Sequence, residues 1–255
     1  MDRQETGPVA LITGASRGLG REVARLFAAR RMPLILTARG AEALERAAAE
    51  LGQQTPVLSL PGDVADRAHA ERLVRLGLER FGRIDVLVNN ASSIGPSPMP
   101  RVEELALDGP PQTFLVNVVA PLRLSQLVLP GMRARRSGLI INVTSDAAVN
   151  GYPGWGGYGA SKAALEQFSR VLAAEIEGSG VRIYLVDPGD MDTEMHRLAE
   201  PGVDLSHLPG PDVPAPAFLH LVESERAPFG RFEAQKALAG QAVGRPAPAL
   251  AGGRP

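Results

Sequence analysis

The 255-residue chain has no cysteine. That excludes disulfides, thiolate metal sites and a cysteine nucleophile, and leaves the compartment undecided. Histidine is scarce. His69, His196, His207 and His220 are scattered with no H-x-x-x-H pair, so no metal site is expected. The formal net charge is −1, which gives no electrostatic case for nucleic acid or an anionic membrane. Long apolar runs are missing too. The most apolar stretch, Phe114 to Leu129, is broken by Asn117, Pro121 and Arg123, whereas a membrane span needs roughly 20 mostly apolar residues. The first residues, Met1 to Thr6, are polar and carry acids, unlike a secretory signal. The expectation is a soluble cytoplasmic protein without metal, membrane or nucleic acid.

Lysine is almost absent as well. Of 27 basic residues only Lys162 and Lys236 are lysines, and tyrosine occurs three times, as Tyr152, Tyr158 and Tyr184. Yet one of each sits four residues apart in Tyr158-Gly159-Ala160-Ser161-Lys162. On a helix, i and i+4 share a face. A compact ammonium beside a phenol favours its ionised form, and a planar guanidinium is no substitute. A chain that writes arginine nearly everywhere but lysine here suggests a chemical requirement. A surface helix carrying the pair by chance is the alternative.

Short apolar runs alternate with helical patterns. Val9–Ile12, Leu34–Leu36, Val57–Leu60, Ile84–Val88, Leu139–Val143 and Val181–Val186 read as strands. Helices are expected up to about Arg31, over Ala41–Leu51, Asp66–Arg80, Pro111–Arg136 and Tyr158–Glu177. The strands are continuous apolar runs, as in a parallel sheet covered on both faces. The alternation predicts an α/β, doubly wound Rossmann fold, with a mostly parallel sheet of about seven strands in three α/β/α layers. There is no internal repeat and no mid-chain linker, so a single domain over residues 1–240 is expected. Residues 188–216 are rich in Pro, Gly and Asp and read as a long irregular segment, either functional or mobile. Gln241 to Pro255 hold almost nothing that packs and read as a disordered tail.

After the first strand comes Thr13-Gly14-Ala15-Ser16-Arg17-Gly18-Leu19-Gly20. Glycines at a strand-to-helix turn let backbone amides approach a pyrophosphate at the positive end of the helix. The alternative is a turn that needs only positive φ angles. At the end of the second strand stands Arg39, with no carboxylate available. A carboxylate there would take a ribose 2′-hydroxyl; an arginine accommodates a 2′-phosphate instead. Arg17, inside the loop, reaches toward the same place. The pair favours NADP(H) over NAD(H), unless both arginines merely face solvent.

With these pieces placed, the chain resembles the short-chain dehydrogenase/reductase family over roughly residues 7–195. Thr13-Gly14 to Gly20 matches its cofactor loop, including Gly14, Ser16, Arg17, Gly18 and Leu19. Asp63-Val64 matches the pair that contacts adenine in that family. Asn89-Asn90-Ala91-Ser92 matches its Asn-Asn-Ala-Gly, with Ser92 in place of the usual glycine. Asn117 matches the catalytic-site asparagine, and Ser145, Tyr158 and Lys162 complete the catalytic set. Pro188-Gly189, with Met191 and Thr193 beyond, matches the segment that frames the nicotinamide.

The resemblance implies that Tyr158 is the general acid/base and Ser145 polarises the carbonyl. Lys162 holds the cofactor ribose and lowers the tyrosine pKa, and Asn117 supports a water in a proton relay. A free tyrosine titrates near ~10, so a downward shift of about 2–3 units is expected to activate it. There is no G-x-S-x-G, which excludes a hydrolase serine of that type. Asp146 reads as a cap. Tyr152, Trp155 and Met195 are expected to line a partly apolar substrate pocket, with packing against a neighbouring loop or subunit as the alternative for the aromatics. The resemblance also implies a small-molecule carbonyl or alcohol substrate and a homo-oligomer, tetramer or dimer. An NAD-dependent alcohol dehydrogenase and a non-catalytic dinucleotide sensor on the same fold are the competing readings.

Overall fold

The computed structural model describes residues 7–106 and 111–237; the expected tail, 241–255, lies outside the described residues. Seven strands form one parallel sheet in the order β3-β2-β1-β4-β5-β6-β7. They are β1 (Ala10–Thr13), β2 (Leu34–Ala38), β3 (Val57–Pro61), β4 (Val86–Asn89), β5 (Gly138–Val143), β6 (Val181–Asp187) and β7 (Phe229–Glu233).

Side chains alternate across each strand, so a sheet covered twice needs apolar residues at every position. Ile12, Leu36, Val88 and Ile141 face one layer, with α1 (Gly18–Ala29), α2 (Ala41–Leu51) and α8 (Ala215–Glu223) packed on them. Leu11, Ile35, Leu87 and Ile140 face the other, under α3 (Arg67–Phe81), α5 (Ala120–Ala134) and α6 (Gly156–Glu175). Asp66 caps α3 by accepting from Ala68 N at 2.8 Å, and Gly82 ends it at φ 73°.

The helix expected over 111–136 is present, with an interruption. α4 (Gln112–Phe114), a π turn (Leu115–Val119) and α5 run on as one helix, Gln112–Ala134. By length and composition alone it could cross a membrane, which the sequence reading did not allow. Here it lies on the sheet, burying Leu124, Val128 and Met132, as a core helix of the same composition does. Its Arg123 donates to the Ala65 carbonyl at 3.1 Å.

Other differences have local causes. β4 begins at Val86 rather than Ile84. Asp85 turns its carboxylate onto Val9 N at 2.9 Å and onto Arg83, while its backbone bonds Val9 and Leu139. α6 starts two residues before Tyr158, at Gly156. The segment 188–216 is largely irregular, as expected, but holds α7 (Glu194–Ala199). Beyond it, α8, β7 and α9 (Ala234–Ala237) have no counterpart among the segments read from the sequence. β7 reads Phe-Gly-Arg-Phe-Glu, an edge strand without the continuous apolar run that marks the central ones.

Candidate active site

The strand order reverses between β1 and β4, and in open α/β sheets the crevice beyond the strand ends at such a point takes the ligand. The glycine loop sits there. Gly14 and Gly18 have φ of 67° and 56°. A Cβ on Gly20 would meet the Gly14 carbonyl oxygen and Asn90 Nδ2, each at 2.5 Å, so this glycine permits close packing of helix on strand. A Cβ on Gly18 would meet nothing within 4 Å, which leaves the loop surface open. α1 starts at Gly18 with no side-chain cap and no acid in its first turn. Its first N–H groups and the positive end of its dipole are thus available to an anion. These features fit the pyrophosphate of a dinucleotide.

The residues after β4 hold the loop in shape. Thr13 Oγ1 accepts from Asn90 N at 3.0 Å and Ala91 N at 2.9 Å, and Asn90 Nδ2 donates to Thr13 O at 2.9 Å. Asn89 is buried and donates to Asn142 Oδ1 at 2.7 Å; its own Oδ1 has no partner among the described residues. Leu19 and Val64 point into apolar clusters, so only their backbone is left for a ligand. Asp63 accepts from Ala65 N at 2.9 Å, and Ser16 lies half-buried in the loop.

The two arginines of the cofactor reading behave differently. Arg39 is exposed and forms no ion pair among the described residues. Arg17 is paired with Glu194, across the crevice on α7.

The expected catalytic residues meet at the ends of β5 and α6. Tyr158 is buried in the first turn of α6, and Lys162 Nζ lies 5.5 Å from the centre of its ring. Lys162 donates to the Val143 carbonyl at 2.8 Å and is 2% exposed. Burial pulls its pKa from 10.5 down to about 8, with the Asp187 carboxylate opposing.

Tyr158 departs from expectation. Its pKa is raised above 10.0, chiefly by burial, while the hydroxyls of Ser145 and Ser92 work against the rise. Asp187 and Asp146 add to it. Desolvation of a phenolate outweighs the neighbouring hydroxyls.

Ser145 donates to Asp146 Oδ1 at 3.1 Å and accepts from Ala147 N at 3.2 Å. The cap of this short turn is therefore Ser145, not Asp146. Asp146 also accepts from Tyr152 OH at 2.6 Å, which keeps Tyr152 on the exposed rim. Asn117 is fully buried in the π turn. It accepts from Ser93 N at 2.8 Å and Ser92 Oγ at 3.1 Å, and donates to Ser93 O at 2.8 Å and Ser161 Oγ at 2.9 Å. Its amide is fully occupied by protein groups. A π turn shifts the backbone hydrogen-bond ladder, a local irregularity frequent at functional sites.

A cleft opens over Ser145 and Tyr158. Trp155, Met191, Met195, Ile94 and Ala199 supply apolar walls, and Asp146, Asp187, Asp190, Thr193 and His196 are among its polar lining. Trp155 meets Tyr158 edge-on at 5.6 Å and His196 at 6.4 Å. Thr193 caps α7 by accepting from His196 N at 3.3 Å. Three contributors were not singled out from sequence. His196 lines the cleft; Asp187 lines it from the end of β6; Arg231 of β7 bonds Asp187 and the Ser145 carbonyl. A lone histidine in an irregular segment gives no pattern, and the arginine sits in a strand that was not recognised.

Comparison with known proteins fits this geometry. The sequence pattern of the short chain dehydrogenases matches residues 8–203. The chain belongs to the short-chain dehydrogenase family. A serine 3-dehydrogenase of Agrobacterium fabrum is 37% identical over 185 residues, 72% of each chain. A 3-oxoacyl-[acyl-carrier-protein] reductase of Escherichia coli is 35% identical over 191 residues, 75% of this chain and 76% of that one. Among solved structures, an alcohol dehydrogenase from Thermococcus sibiricus complexed with 5-hydroxy-NADP superposes with a TM-score of 0.77. It is 32% identical, with 89% of this chain and 95% of that chain covered. The protein is thus an oxidoreductase of the CH–OH/C=O type that uses a nicotinamide cofactor.

Proposed function

We propose that this short-chain dehydrogenase is an NADP-preferring reductase of a small, partly apolar carbonyl compound, acting through Ser145, Tyr158 and Lys162. The observation that carries the reading is that Ser145 and Tyr158 line one cleft while the buried Lys162 ammonium lies 5.5 Å from the centre of the Tyr158 ring. The cofactor, when bound, supplies the hydride and a positive nicotinamide ring after its departure. Ser145 turns its hydroxyl from Asp146 to the substrate oxygen. Once turned, a donor of this kind lowers the barrier by up to about 3–4 kcal/mol, less the cost of leaving Asp146. Tyr158 delivers the proton to the same oxygen. Lys162 stabilises the phenolate that remains and holds the ribose. The apolar walls exclude water, and Asn117 fixes the loop 92–93 next to the phenol. Gly14, Gly18 and the α1 amides would hold the pyrophosphate, Asp63 and Val64 the adenine, and Pro188, Gly189, Met191 and Thr193 the nicotinamide.

The NADP preference rests on Arg39, which is free to meet a 2′-phosphate, while Arg17 must first leave Glu194. One charge-assisted bond contributes roughly 1.5–3 kcal/mol, or about 10- to 100-fold in affinity. The exposed Phe168 and Val171 on α6 support self-association. A pure sensor has no need for the complete catalytic set. Titrating the protein with NADPH and NADH by fluorescence, then following NADPH oxidation against aldehydes, ketones, quinones and 3-ketoacyl thioesters, tests the proposal. Tighter NADPH binding and turnover of at least one carbonyl are expected. Equal affinities would sink the NADP preference, and binding without turnover would favour the sensor.

A further inference from the structure

Arg231 ties together the pieces that carry the catalytic set. It enters from β7, and its side chain is 23% exposed. Nε donates to Glu166 Oε1 at 2.9 Å. Nη2 donates to Asp187 Oδ2 and to the carbonyl of Ser145 itself, both at 3.3 Å. Each acceptor belongs to a different part of the site. Glu166 lies on α6 at i+8 from Tyr158 and i+4 from Lys162, so the three share one face of the helix. Glu166 also accepts from the hydroxyl of Thr144, the residue before Ser145, at 2.8 Å. Asp187 accepts from Gly189 N at 3.0 Å, which shapes the turn beside the cleft. Its carboxylate also favours the charged state of Lys162.

We infer that Arg231 is a positioning residue for hydride transfer: one guanidinium sets Ser145, two residues beyond β5, against the Tyr158–Lys162 face of α6. This rests on the reductase reading above. The argument is geometric. Tyr158 and Ser145 must address one substrate oxygen from two separate elements, and a displacement of about 1 Å costs up to 10²-fold in rate. Bonds to helix, strand and turn from one rigid fork fix that spacing. A lysine offers a single ammonium on a flexible stem and cannot hold the Nε and Nη2 partners at once. The tie acts on the alignment of the catalytic groups. The cofactor loop, on the other side of β1, does not touch it.

The test compares wild type, Arg231→Ala, Arg231→Lys and Tyr158→Phe as full chains, with phenanthrenequinone as the carbonyl and NADPH as donor. Arg231→Ala should lose at least about tenfold in kcat, with NADPH affinity within about threefold, in a chain that melts lower than wild type because Glu166 and Asp187 lose a buried partner but is still folded at the assay temperature. Guanidinium at about 20 mM should restore kcat at least threefold in that variant, and should leave wild type and Tyr158→Phe as they were. Should the alanine variant not fold, Arg231→Lys decides: a kcat at least about fivefold down at the wild-type melting temperature supports the role. A kcat within twofold of wild type, a loss without rescue, or a loss that follows weakened NADPH binding overturns it. A wild-type chain inert toward the quinone and toward the whole carbonyl panel overturns the reductase reading itself, and this inference with it.

Discussion

Replacing Lys162 by methionine should make the protein more stable at neutral pH while abolishing turnover. The ammonium is buried and makes a hydrogen bond to Val143 O at 2.8 Å. Burial lowers its pKa from 10.5 to about 8, and at 1.36 kcal/mol per pH unit that fall is a destabilisation of about 3 kcal/mol. The sign follows from proton counts. Between pH 8 and 10.5 the unfolded chain binds the proton and the folded chain does not, so wild-type stability rises with pH through that window. Below it the full penalty stands. Methionine is similar in length and apolar, so it removes the penalty, but it leaves the Val143 carbonyl short of one donor, worth about 1 kcal/mol. The net gain at pH 7 is roughly 1–2 kcal/mol, a few degrees in melting temperature for a chain of this size. At pH 9.5, where the wild-type lysine is mostly neutral, the advantage should shrink or vanish. Thermal melts of both proteins at the two pH values measure it. A variant less stable than wild type at pH 7, or an advantage that does not change with pH, would refute the argument that Lys162 is held as a desolvated cation.

Two further substitutions address the chemistry and the cofactor. Ser145→Ala removes the carbonyl-polarising donor and should lower kcat by about 10²-fold with NADPH affinity unchanged; activity within threefold of wild type would exclude the assigned role. Arg39→Asp should reverse cofactor preference by repelling the 2′-phosphate and accepting from the ribose hydroxyl, read as the ratio of NADPH to NADH dissociation constants. An unchanged ratio would mean that Arg39 faces solvent in the complex.

The central strands were legible because a sheet covered on both faces requires unbroken apolar runs, and Ala10–Thr13 or Leu139–Val143 have no other use. Tyr158 and Lys162 were legible through their rarity. β7 was not, because an edge strand has one neighbour and tolerates Arg231 and Glu233. The π turn at Leu115–Val119 was not, because its side chains are as apolar as those of a regular helix. The pairing of Arg17 with Glu194 joins residues far apart in the chain, and no local pattern announces it. The desolvation that raises the pKa of Tyr158 in the chain without cofactor was not legible, since the Tyr-x-x-x-Lys spacing reports the neighbouring lysine and not the burial.

The central claim is that Tyr158 serves hydride transfer between a nicotinamide cofactor and a carbonyl carbon. The most direct measurement uses NADPH carrying deuterium at the transferable C4 position, with a carbonyl from the panel that wild type reduces. Product recovered from wild type should carry one deuterium on the new carbinol carbon, and Tyr158→Phe should yield at least about 10²-fold less of it per unit time while binding NADPH as before. Deuterium retained on the cofactor, or a phenylalanine variant that labels product at more than a tenth of the wild-type rate, would contradict the account.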